Sequence, residues 1–134
     1  MRTALFKMIL LILAALLLPA APVWAKSKGY CYIVGYSYVK KAAYFSPIIV
    51  QKVTSKSYSD EEYVTDVELI QQLETQFYNH LSRTVRLDAD RYTISARGAY
   101  KSDAIAGKKM QEEKDQYEAK GYTVKDVTDF HFVE

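Results

Sequence analysis

"YCYIVGYSY" occupies residues 30–38, and the reading of these nine residues decides the fold. Aromatic and β-branched side chains dominate the stretch, which suits an extended chain on a pleated surface. Its even positions are Tyr30, Tyr32, Val34, Tyr36 and Tyr38; its odd positions are Cys31, Ile33, Gly35 and Ser37. Successive strand residues face opposite ways, so the four tyrosines form one stripe and the small residues form the other. The odd face is slim enough for a helix to approach closely, which would turn the tyrosines outward. With the even face inside, each hydroxyl would need a partner, because an unpaired buried polar group costs roughly 1–3 kcal/mol. Both orientations are compatible with the residues alone.

Downstream, "VKKA" (39–42) makes a turn and "AYFSPIIVQKV" (43–53) returns as a second strand. Pro47 has no ladder donor, so the return strand is an edge or carries a bulge there. The polar stretch 54–66 holds two capping boxes, Ser59 with Glu62 and Thr65 with Glu68, either of which could start a helix. That helix follows in 66–85, where Val67, Ile70, Leu73, Phe77 and Leu81 recur at steps of three and four. "RLDAD" (86–90) reads as a turn, and 91–100 as a third strand with Tyr92, Ile94 and Ala96 on one face. Ser102 caps a second helix that runs to Gly121, with a thin stripe of Ala104, Ala106, Met110 and Tyr117. Residues 122–133 close the chain as a fourth strand, with Tyr122, Val124, Phe130 and Phe132 in phase.

The resulting order is β-β-α-β-α-β. A helix that joins two strands of one sheet makes a right-handed crossover between parallel strands. The expectation is an α+β two-layer sandwich, with about four strands and two helices on one face. Strand order is not legible.

Upstream of the first strand, residues 1–25 read as a cleaved secretory signal peptide. Arg2 and Lys7 precede the uncharged run "MILLILAALLLPAA", and "APVWA" ends in small residues. An apolar run of about 14 residues is shorter than the roughly 20 of a spanning helix. Cleavage after Ala25 leaves 26–134 as a single small domain with no membrane span, secreted or periplasmic. The chain has 18 basic and 16 acidic residues, and the signal takes two of the basic ones, which leaves the mature part formally neutral. A neutral domain lacks the positive field that nucleic acid binding requires. One cysteine makes no internal disulfide, and Cys31 reads as a small buried hydrophobe.

Catalytic signatures are sparse. His80 reads as a solvated helix residue, and His131 as a side chain that could pair with Asp126 or Asp129. No GxSxG elbow frames a serine. Carboxylates cluster at "SDEEY" (59–63) and "DAD" (88–90); the second lacks the third ligand, the glycine and the distal glutamate of a calcium loop, and the two read as a helix-start charge cluster and a polar turn. Gly98 and Gly107 do not frame a phosphate loop, and no cofactor or metal signature is present. The expectation is a non-enzymatic interaction domain that meets an unknown protein partner or a glycan through its tyrosine-bearing hairpin. Tyr30, Tyr32, Tyr36 and Tyr38 are the candidate contacts, with Tyr32 and Tyr36 as central anchors. Alternatives are an envelope polysaccharide or peptidoglycan binder, an inhibitor or immunity-type partner of a secreted enzyme, and a small hydrolase.

Overall fold

The computed structural model describes residues 26–85 and 91–134; the signal-peptide reading of 1–25 and the turn reading of 86–90 lie outside them. Among the described residues the elements are β1 (Lys26–Ser37), β2 (Ala42–Phe45), β3 (Ile49–Thr54), α1 (Val67–Thr84), β4 (Thr93–Tyr100), α2 (Asp103–Ala119) and β5 (Thr123–Asp126). The fold is α+β, a mixed five-stranded sheet with two helices. No described helix is long and apolar enough to cross a membrane.

β1 is the central strand. One of its edges carries β2 and β3 in succession, both antiparallel to it, and the other edge carries β4, also antiparallel. β2 and β3 are the single return strand expected from residues 43–53, broken in the middle. Ser37 faces Ala42 and Val34 faces Phe45, but Cys31 faces Ile49, so one extra residue is inserted between the two halves. This is a bulge at Pro47, where the ladder has no donor to lose. Ser46 holds it together. Its N–H donates to the Ile33 carbonyl at 2.9 Å, and its Oγ accepts from the Ile33 N–H at 2.8 Å.

β4 bulges opposite the same part of β1. Its register shifts between Tyr32 and Tyr30, and Gly98 there has φ +98. A Cβ at Gly98 would lie 2.7 Å from the Tyr30 carbonyl, so both the backbone angle and the close approach require glycine.

The helices lie on opposite faces of the sheet, which corrects the two-layer expectation to three layers. Leu73, Phe77 and Leu81 of α1 pack with Cys31 and Ile33 on the odd face of β1. Ala106 of α2 packs with Tyr32 and Val34 on the even face, together with Ala43, Phe45 and Tyr100. Strand order supplies the reason. The crossover β3–α1–β4 passes over β1 in one direction, and β4–α2–β5 returns over β1 and β2 in the other. Two crossovers of the same hand that run in opposite directions place their helices on opposite sides.

Three local expectations also change. Helix α1 starts after Asp66, which makes no side-chain cap. Ser59 instead accepts from the Glu61 and Glu62 N–H groups in a turn, and Thr65 bonds the backbone of Gly98 and Ala99. Ser59 is spent on that turn and Thr65 on the outer edge of β4, and neither on a helix. The last strand is short: β5 pairs parallel with β2 over Thr123–Asp126, and the chain beyond leaves the sheet. Val124 therefore belongs to the α2 face, while Phe130 and Phe132 pack on the α1 side. In α2 the Ser102 cap holds, with Oγ accepting from the Ile105 N–H at 3.1 Å. Gly121 ends the helix region at φ +84, as a left-handed stop requires.

Candidate functional site

The four tyrosines of β1 do not share one environment. Tyr32 is 1% exposed, a core residue behind α2. It cannot be a contact anchor, and that part of the expectation is corrected. Tyr30 and Tyr36 are half-buried at the margins of the same cluster. Tyr36 lies 5.7 Å from the Tyr117 ring, and Tyr117 lies 5.0 Å from Tyr122. Tyr38 stands in the turn between β1 and β2 and is 80% exposed, beside Val39 at 70%.

The Tyr32 hydroxyl is satisfied by a residue of α2 that is not part of its apolar stripe. It donates to Glu113 Oε1 at 2.7 Å. Arg97, opposite Tyr32 on β4, donates to both carboxylate oxygens of Glu113 at 3.0–3.3 Å and to Ser95 Oγ at 2.7 Å. The Glu113 side chain is only 16% exposed. Its inward position explains the weak apolar stripe of α2: the helix closes its face with an ion pair under a tyrosine.

Burial pushes the Tyr32 phenol far above its ordinary range, and its hydrogen bond to the Glu113 carboxylate adds to the shift. Burial first, and then the Glu113 charge, push Tyr117 up to about 12. Burial works against the Arg97 charge, but the bond to Glu113 and that carboxylate's charge outweigh it and raise Arg97 above its ordinary value. Cys31 is pushed up to about 11 by burial alone, which keeps it a neutral, unreactive thiol at neutral pH.

His80 is not solvated. Its side chain is 14% exposed, and its Nε2 lies 3.1 Å from Asp129 Oδ1, with the ring edge-on to Phe130 at 5.4 Å. The His80 bond holds the Asp129 carboxyl below its usual range. Asp129 thus pairs with His80 rather than with His131. The same chain end is fastened at Gln76, whose side-chain amide donates to the Val133 carbonyl and accepts from the Val133 N–H at 2.9 Å. Between α1 and this segment runs a cleft of about 430 Å³, lined by Asn79, His80, Arg83, Phe130 and His131 among others. Both histidines of the chain line it. Their convergence rests on a loop crossing that no local pattern announces.

Among the described residues no group of three His, Cys, Asp or Glu could hold a metal ion. The acidic residues of 59–63 lie in the loop beside β4, where Glu61 comes within 4.0 Å of Lys109.

No family model matches this chain, and no curated protein or solved structure does.

Proposed function

We propose that residues 26–134 form an exported, non-enzymatic interaction domain that engages a protein partner through the tip of the β1–β2 hairpin. One observation carries this reading: Tyr38 and Val39, two large apolar side chains, stand 80% and 70% exposed in a four-residue turn. The turn itself has no need of them. Ser37 Oγ accepts from the Lys40 N–H at 3.0 Å, and Lys41 takes the positive φ of 48° that closes the hairpin. An exposed tyrosine on a well-anchored turn presents a flat amphipathic ring at low entropic cost, as interface anchors do. Lys40 and Lys41 flank it, so the complementary surface is an apolar recess with an acidic rim.

Export rests on the sequence pattern of residues 1–25. Protein recovered from the exporting cell begins at Lys26 on this reading, and Edman sequencing that found Met1 retained would remove it. The contact itself is tested by photo-crosslinking. A benzophenone side chain at position 38 should give one discrete adduct in the exporting cell. The same group at Lys108, on the exposed face of α2, should give none. Equal capture at both positions would overturn the hairpin as the contact.

A further inference from the structure

We infer that the cleft between α1 and residues 129–133 is a second, independent binding site, for a small organic carboxylate with an apolar body. Helix α1 turns a polar row toward the cleft. Gln76, Asn79, His80 and Arg83 stand at steps of three, four and seven, on the flank beside its apolar stripe. Across the gap the C-terminal segment supplies Phe130, the exposed His131 and the exposed Val133.

The charges are arranged asymmetrically. Among the described residues the carboxylate beside the cleft is Asp129, and it is already engaged by His80. Arg83 is, among the described residues, the one charged side chain lining the cleft apart from the histidines. It donates Nε to the Asn79 carbonyl at 3.3 Å, which leaves its two terminal nitrogens without a partner among the described residues. A guanidinium end of that kind matches a carboxylate in two parallel hydrogen bonds. The last turn of a helix carries a partial negative charge of about half a unit, which opposes an anion there, but the full charge of Arg83 sits at the same place and exceeds it.

The size agrees: a volume of about 430 Å³ lies within the range of small-molecule sites. The lining is mostly polar, with Phe130 and Val133 as its apolar members. The ligand's carboxylate meets Arg83 and His131, and its body lies against Val133 and the edge of Phe130.

The two histidines make the test direct, because the chain has no others. Their two imidazole C2–H proton resonances are followed at fixed pH 7.5 in untagged protein from the exporting cell, while benzoate is added. Both resonances should move along saturating curves, with Kd in the low millimolar range. Arg83→Gln should weaken benzoate by about tenfold, the loss of one charge-assisted pairing. Benzyl alcohol, neutral and of the same shape, should also bind about tenfold more weakly, and acetate should be weaker than benzoate because it has no apolar body. A linear drift without saturation, equal binding by the Arg83→Gln chain, or equal binding of benzyl alcohol would each overturn the proposal. Acetate or inorganic phosphate binding as tightly as benzoate would overturn the apolar half of the specificity. Circular dichroism of Arg83→Gln should match the parent, since its side chain is exposed and packs in no core.

Discussion

A single side chain, Tyr32, shows how this protein admits a polar group to its core. The ring is fully buried, and its hydroxyl meets a carboxylate that Arg97 holds in place. Neither Tyr32 nor Glu113 would be tolerated alone: an unpaired hydroxyl costs roughly 1–3 kcal/mol, and an unpaired buried carboxylate costs more. The pairing has a pH signature. A free tyrosine ionises near 10, while burial and Glu113 raise Tyr32 and Tyr117 above that in the fold, and burial, Glu62 and Glu113 raise Tyr100. Groups raised in the native state leave stability flat at lower pH. They draw it down once pH exceeds the unfolded value, because the unfolded chain then sheds protons that the folded one keeps. Urea midpoints should therefore be constant between about pH 6.5 and 7.5. They should begin to slip at about pH 8.5, as the unfolded Cys31 thiol ionises while burial keeps the folded one neutral, and fall steeply above about 10. Tyr32→Phe should cost about 1–2 kcal/mol at pH 7 and make the alkaline fall shallower. An unchanged slope in that variant would mean that Tyr32 ionises freely.

At the scale of elements, the two bulges on either side of β1 carry the distinctive information. The return strand was legible as one strand with a fault at Pro47, and it is two strands joined by that fault. The residue that makes the fault tolerable is Ser46, which is 3% exposed and bonds Ile33 with both its backbone and its hydroxyl. Ser46→Ala should leave the Ile33 N–H buried without an acceptor and cost roughly 1–3 kcal/mol, measured by urea unfolding. Ser46→Thr keeps the oxygen and should recover part of that loss; equal losses would show that crowding, not the hydrogen bond, is the cause. The capping boxes failed for a related reason. Ser59 and Thr65 have the right chemistry for helix starts, but their oxygens serve an adjacent turn and the outer edge of β4. Local side-chain bonds of this kind compete with one another, and spacing alone does not say which partner prevails.

For the whole molecule, the consequence is that the sheet is covered on both sides and neither helix is dispensable. Leu73 is buried on the α1 face and Ala106 on the α2 face. Leu73→Asp and Ala106→Asp each place a charge in an apolar layer, so each should abolish the cooperative thermal transition seen by far-ultraviolet circular dichroism. A folded Ala106→Asp chain would mean that α2 lies loosely on the sheet and that one face is optional.

What the sequence determined by itself was the set of elements: an aromatic first strand, a return strand interrupted at Pro47, an apolar-striped first helix and a Ser102-capped second one ended by Gly121. Those features follow from backbone sterics, side-chain period and capping, all of which act within a few residues. A sign of the third layer was also present in "CYIV" (31–34), four apolar residues without a polar alternate, all of which are buried. A strand covered on both faces reads in just this way. Tertiary structure alone decided the rest. Strand order sent the second crossover back over β1 and so put α2 on the tyrosine face. It also brought Glu113 under Tyr32 across 81 residues and Asp129 to His80 across 49. Such meetings depend on where whole elements come to rest, and the energy that holds them belongs to pairs of residues that no local pattern places side by side.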